Sequence, residues 1–232
     1  MTGSRFNPSI EAQRRSVDAT AWEDLYVVGD VHGCRATLER LLDEIEPTDD
    51  DLVVFVGDLV RRGPDNHGVV DLVRSSSNML SVRGNNEEKL LRGRRVASDL
   101  TGDDLEWLFS LPVAITWEDA LVVHGGVHPR KPLSEHTVDE LQNLESVAES
   151  GTGRPYWWEE YDGDDSVYFG HRVLERPLVT DRAVGLDTGC VYGGALTAYD
   201  VRRDRTVSVE PERTHRERRP GKFLTPTPSV PQ

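Results

Sequence analysis

Lysine is almost missing from this 232-residue chain: Lys89, Lys131 and Lys222 are the only three among 27 basic residues, the rest being arginine. Cysteine is as scarce, with only Cys34 and Cys190. Two cysteines cannot build a disulfide framework and match no zinc spacing, so two free thiols are expected. No apolar run approaches the roughly 20 residues needed to span a bilayer, and residues 1–22 carry no apolar core of the secretory type. No membrane partner and a cytoplasmic location are therefore expected. Positive charge is also short: 41 acidic residues leave a formal net charge of −14. Phosphate polymers would be repelled, which argues against broad nucleic-acid binding. Such an acid-rich, lysine-poor surface is of the halophilic type, suited to salt that screens self-repulsion.

What is present is strand grammar punctuated by glycine. Hydrophobic residues make up 37% of the chain and charged residues 29%, as expected of one sizeable globular domain. Leu25 to Val28 reads as a buried strand that runs into Gly29-Asp30-Val31-His32-Gly33. Leu52 to Val56 repeats the pattern and ends in Gly57-Asp58, and Met79 to Val82 ends at Arg83-Gly84-Asn85-Asn86-Glu87. Helices are expected over Cys34 to Ile45, from Pro64-Asp65 to Arg74, from Asn86, after a Thr101 cap, and over Ser134–Leu144. Val113–Trp117 and Leu121–His124 read as a hairpin, followed by short strands at Val167–Phe169, Ala183–Leu186, Ala195–Val201 and Thr206–Val209. Residues 1–22 are expected to be an extension covering an edge, 23–210 the domain, and the proline-punctuated 211–232 a disordered tail. Gly151-Thr152-Gly153-Arg154-Pro155 is an expected loop leading to Tyr156, Trp157 and Trp158, which are read as core packing, whereas His67, His136 and His215 are read as surface residues. Strand–helix alternation followed by a strand-rich half predicts a layered α/β fold with mixed sheets.

The polar residues that follow the buried strands are Asp30, His32, Asp58, Asn85, His124 and His171. All offer oxygen or nitrogen, most beside glycine, and strand carboxyl ends are where α/β sheets bind ligands. One divalent cation would be served by Asp30, His32 and Asp58. A second would take Asn85, His124 and His171, with Asp58 shared. Two cations about 3.5–4 Å apart clamp a phosphoryl group and acidify a water. The mixed donors suit Mn²⁺, with Fe or Zn²⁺ as alternatives.

These residues resemble a known family. Gly29-Asp30-Val31-His32-Gly33, Gly57-Asp58-Leu59-Val60-Arg61-Arg62-Gly63-Pro64, Arg83-Gly84-Asn85-Asn86-Glu87, His124-Gly125-Gly126 and Gly170-His171 are similar to the ordered motifs of calcineurin-like metallophosphoesterases. The likeness is strongest to the branch of phosphoprotein phosphatases, symmetrical diadenosine tetraphosphatases and bacterial polynucleotide kinase-phosphatase modules. Leu186-Asp187-Thr188-Gly189-Cys190-Val191-Tyr192-Gly193-Gly194-Ala195-Leu196 resembles that branch's C-terminal signature. The resemblance implies a four-layer α/β/β/α sandwich with two mixed β-sheets, the six ligand roles above, and a metal-bridging hydroxide as nucleophile. It also implies that Arg62 and Asn85 bind substrate phosphate, a task a planar guanidinium does well.

Two positions depart from the family pattern. Asn86 stands where the resemblance implies a histidine general acid, and Arg61 where it implies the aspartate that orients it. An amide cannot deliver a proton, and general acid catalysis is worth about 10²–10⁴ in rate. Three outcomes are open. The chain hydrolyses esters with good leaving groups, His128 supplies the proton, or the protein binds phosphate without turnover. With all six ligand positions and Arg62 present, a phosphoprotein (Ser/Thr) phosphatase-like hydrolase is expected, with a symmetrical dinucleoside tetraphosphate hydrolase as the alternative. The matching substrates are a phosphorylated protein or a dinucleoside polyphosphate.

Overall fold

The computed structural model describes residues 5–219 and 221–226. Its strands are β1 (Arg14–Ser16), β2 (Leu25–Val28), β3 (Leu52–Phe55), β4 (Met79–Ser81), β5 (Ala114–Trp117) and β6 (Ala120–Val122). They continue as β7 (Ser166–Phe169), β8 (Leu178–Val179), β9 (Ala183–Gly185), β10 (Leu196–Asp200) and β11 (Arg205–Val209). The helices are α1 (Pro8–Glu11), α2 (Arg35–Ile45), α3 (Asn66–Ser75), α4 (Asn85–Leu91), α5 (Gly102–Ser110), α6 (Val138–Asn143) and α7 (Trp157–Glu160).

Two mixed sheets result. One runs β11-β10-β2-β3-β4, the other β1-β5-β6-β7-β9-β8. Strands β2, β3 and β4 are mutually parallel, as are β6, β7 and β9. Each set therefore delivers its carboxyl ends to one edge of its sheet.

Alternation along the strands produces four layers. Tyr26, Val28, Val53 and Phe55 join one core with Leu38 and Leu41 of α2 and Val69, Val70 and Val73 of α3. Their neighbours Leu25, Val27, Leu52 and Val54 point the other way, meeting Ile115, Val122, Tyr168 and Val184 between the sheets. Leu121, Val167 and Phe169 face a third core with Ile10, Leu141 and Trp157. Side chains that change side every residue can serve two cores at once. The α/β/β/α sandwich is thus present.

Several local expectations change. Ser134–Leu144 is not one helix: Leu133–Glu135 forms a 3₁₀ turn, and α6 starts only after Thr137. Thr137 and Glu140 make a reciprocal capping box, which stabilises a helix start at that point. His136, just before it, is buried rather than at the surface; its Nε2 accepts from His128 N at 2.7 Å and its Nδ1 faces Pro132 O at 3.0 Å. The 151–155 loop leads into α7, whose start at Tyr156 is capped by Glu159 accepting from Tyr156 N. Trp157 and Trp158 are in the core.

At the N-terminus, β1 pairs in parallel with β5 at the sheet edge, and Phe6 and Ile10 are buried. Of the segment expected to be disordered, residues 211–219 and 221–226 are described, and they pack on the domain. His215 N and Arg216 N donate to Val191 O at 3.1 and 2.9 Å, and Leu224 bridges to Leu174. Residues 220 and 227–232 lie outside the described residues. No helix among the described residues is long and apolar enough to cross a membrane.

Candidate active site

Asp30 follows β2, Asp58 follows β3, His124 follows β6, His171 follows β7, and Asn85 opens α4 after β4. The parallel pairings bring these strand ends together. His32 Nε2 lies 3.8 Å from both Asp30 Oδ2 and Asp58 Oδ2. His124 Nε2 is 3.4 Å from Asp58 Oδ1. Asn85 Nδ2 donates to His171 Nδ1 at 2.9 Å, and His171 N donates to Asp30 Oδ1 at 3.2 Å. The rings of His124 and His171 stand 5.1 Å apart. All six expected residues meet, and ligand atoms of Asp30, His32 and Asp58 fall within 4.8 Å of one another.

The backbone is strained to achieve this. His32, Asp58 and His171 have φ of 53°, 51° and 67°, a left-handed region that costs non-glycine residues about 1–3 kcal/mol each. Buried hydrogen bonds hold the turn: Glu87 accepts from Asp58 N (2.9 Å), Val60 N (3.1 Å) and Gly84 N (2.8 Å). Gly170 is required by close approach, since a Cβ there would lie 2.0 Å from Asp30 Oδ1.

Ring orientation favours cation binding. His124 Nδ1 faces the Val56 carbonyl at 2.9 Å, and a carbonyl can only accept, so the ring proton sits on Nδ1. That turns Nε2 to the cluster, where it is buried 3.4 Å from Asp58 Oδ1 and no hydrogen bond satisfies it. His32 repeats the arrangement, with Nδ1 at 3.3 Å from Val60 O and Nε2 facing the carboxylates. Arg62 Nη1 sits 2.5 Å from this Nε2.

The charges show what the cluster needs. Burial pushes Asp30 well above the usual carboxylate range, and the facing Asp187 carboxylate adds to it. Burial alone would lower His124, but Asp58, Asp30 and Glu87 outweigh it and raise the imidazole to about 10. Burial would likewise raise Asp58, yet His124, His32 and Arg62 hold it well below its usual value. Crowded carboxylates in a dry pocket require positive charge, and without a cation protons supply it.

The sequence pattern of calcineurin-like phosphoesterases matches residues 24–209, most of the chain and every residue of this cluster. The chain is a member of that family. Serine/threonine-protein phosphatase 1 of Salmonella typhimurium strain LT2 is 32% identical over 202 residues, covering 78% of this chain and 93% of the relative. The symmetrical bis(5'-nucleosyl)-tetraphosphatase of Janthinobacterium sp. strain Marseille is 27% identical over 261 residues, with 80% and 95% covered. A crystal structure of a candidate diadenosine tetraphosphatase superimposes with a TM-score of 0.78 at 31% identity, covering 85% of this chain and 97% of that one.

For a calcineurin-like phosphoesterase, divalent metals are implied, and the donor set fits them: oriented imidazoles, an unpartnered buried Nε2 and surplus carboxylate. Arg61 and Asn86 are in contact here. Arg61 Nη1 donates to Asn86 Oδ1, and Asn86 Nδ2 donates to Asp58 Oδ2. His128 engages its own loop, with Nδ1 accepting from Arg130 N at 3.2 Å, and among the described residues none of its bonds reaches the cluster.

Three participants escaped the sequence reading. Asp187 is buried with Oδ2 unpartnered, and burial raises it to about 6. It follows β9 and precedes Gly189, the same strand-to-Asp signal that marked Asp30 and Asp58, so it was findable. Asn143 Oδ1 accepts from Asn85 Nδ2 at 3.0 Å, and Glu145 Oε1 lies 3.3 Å from His171 Nε2. No local pattern marks those two.

Proposed function

We propose that this phosphoesterase hydrolyses phosphoanhydrides of dinucleoside polyphosphates, with Asp30, His32 and Asp58 holding one divalent cation and Asn85, His124, His171 and shared Asp58 a second. Bound cations would supply Lewis acidity toward phosphoryl oxygens and an acidified water. Arg62, whose guanidinium already reaches into the cluster at His32, would grip the phosphoryl group. Buried Asn86 would hold Asp58 in place without giving up a proton.

One observation carries the choice of substrate: the Arg61–Asn86 contact stands where the resemblance implies an acid dyad. Expulsion of a serine alkoxide, related to a hydroxide whose parent water has a pKa of about 15.7, needs a proton donor. A phosphate leaving group, with a second pKa of about 6, does not. This consideration, with the tetraphosphatase relative, moves dinucleoside polyphosphates ahead of the phosphoproteins first expected from sequence. Phosphoprotein hydrolysis remains the second reading, supported by the 32% identity to a serine/threonine-protein phosphatase.

Turnover of diadenosine tetraphosphate and of a phosphoserine peptide, each with Mn²⁺, tests this reading. Efficient cleavage of the dinucleotide with slow peptide hydrolysis is expected. The opposite preference would reverse the choice, and metal binding without turnover of either would leave a phosphate-binding protein.

A further inference from the structure

In a chain of net charge −14, one cleft gathers unneutralised guanidinium groups. A cavity of about 590 Å³ adjoins the metal cluster, lined by Arg61, Arg62, Asn66, Ser98, Asp99 and Arg216. Arg61 donates to the Asn86 amide, Arg62 to His32, and Arg216 Nε to the Arg62 carbonyl at 3.2 Å. All three acceptors are uncharged, and none of these arginines forms an ion pair among the described residues. Asp99, the one carboxylate on the wall, is engaged by Asn66 N and Nδ2 at 2.8 and 2.9 Å. Burial, together with the nearby Arg62 and Arg95 charges, lowers the Arg61 pKa, a sign of like charges held close.

The backbone is built to keep them there. Arg61 and Arg62 both have φ of 75°, two consecutive non-glycine residues in the left-handed region. Gly63 presses this turn against the metal loop: its N donates to His32 O at 2.7 Å, and a Cβ would fall 2.2 Å from that oxygen. Arg216 comes from the segment beyond the family match, pinned where His215 N and Arg216 N share Val191 O. Like charges held together in an open cleft favour an anion between them.

We infer that Arg61 and Arg216 form a second anion subsite beside the position where Arg62 grips the reacting phosphoryl group, taking the further phosphates of a polyphosphate chain. The inference rests on the proposed phosphoanhydride substrate. It adds that the C-terminal segment, outside the shared family pattern, helps this enzyme distinguish a chain of phosphates from a single one.

The test compares inorganic phosphate with tripolyphosphate as inhibitors of p-nitrophenyl phosphate hydrolysis, at fixed free Mn²⁺ and ionic strength. Arg216→Ala should weaken tripolyphosphate about tenfold, the order expected for one charge-assisted contact, and inorganic phosphate less than twofold. Arg216→Glu should widen the gap. Equal losses for both anions, or no loss for tripolyphosphate, would overturn the subsite. So would a loss confined to a doubly phosphorylated peptide, which would assign the cleft to phosphoproteins. If p-nitrophenyl phosphate and diadenosine tetraphosphate are both left uncleaved, the proposed hydrolase is at fault, and calorimetric titration with the same two anions still decides the subsite.

Discussion

Rebuilding an acid at Asn86 should work only if Arg61 changes as well. Asn86 is fully buried, wedged between the Arg61 guanidinium and Asp58 Oδ2. In Asn86→His alone, the imidazole would lie beside a guanidinium. A unit charge about 4 Å away at an effective dielectric of about 20 is worth about 4 kcal/mol, or about three pKa units. The Asp58 carboxylate on the other side offsets part of this, so the single variant should hold its proton less well than one without Arg61. Extra volume in the packed site costs about 1–3 kcal/mol of stability besides. Arg61→Asp reverses the sign of the neighbouring charge, and the double variant should keep its imidazolium. General acid catalysis then becomes available, about 10²–10⁴ in rate or about 3–5 kcal/mol of barrier. The assay is kcat/KM for phenyl and p-nitrophenyl phosphate in wild type, both single variants and the double. Phenol, with a pKa of about 10 like tyrosine, is the poorer leaving group. Wild type should strongly prefer the nitrophenyl ester, and the double variant should accelerate the phenyl ester by about 10²-fold or more while moving the other far less. Equal wild-type rates on the two esters would refute the reasoning, as would an Asn86→His variant matching the double.

Asp58→Asn removes the carboxylate shared by both proposed cation positions and should weaken Mn²⁺ binding by more than about 100-fold, since losing a mere outer partner already costs 10–100-fold; unchanged calorimetric affinity would contradict the ligand assignment. Because His124 is raised to about 10 in the metal-free protein, cation binding at neutral pH must displace a proton. Mn²⁺ affinity should therefore climb about tenfold per pH unit between pH 6 and 8, and equal binding heats in buffers of different ionisation enthalpy would argue against proton release. Asp187 has its folded value raised to about 6 from 3.8, so its contribution to stability is complete below pH 3.8 and lost as pH rises through 6. Metal-free Asp187→Asn should exceed wild type by up to about 3 kcal/mol at pH 8, with the gap closing near pH 4; denaturant unfolding giving the same gap at both pH values would defeat this. Trp157 Nε1 donates to Gly125 O at 3.0 Å, directly behind His124. Trp157→Phe strands that buried carbonyl and should cost about 1–3 kcal/mol, read as a lowered Tm.

Much of the fold was legible because the signals are local. Leu25–Val28 and Leu52–Phe55 announce themselves by composition and by the Gly-Asp that stops each, and Thr101 marks its helix by a cap. The errors fell where tertiary contacts overrode propensity. Ser134–Leu144 has a continuous helical pattern, but burial of the His136 ring against Pro132 and His128 breaks it. The tail's prolines and charges read as disorder, yet Val191 and Leu174 offer its backbone partners that no local pattern reveals.

By itself the order of residues determined which candidate ligand types stand at the strand ends, since β periodicity and glycine stops are written in adjacent positions. It also set arginine at 61 and asparagine at 86, where the resemblance implies an aspartate and a histidine. Only the tertiary structure decided that those two touch, that His136 is buried while His128 turns to its own loop, and that Asp187 is buried and Arg216 lines the cleft with Arg61 and Arg62. The reason is physical: parallel pairing superimposes residues dozens of positions apart, and burial then sets their charge, neither of which spacing along one chain encodes.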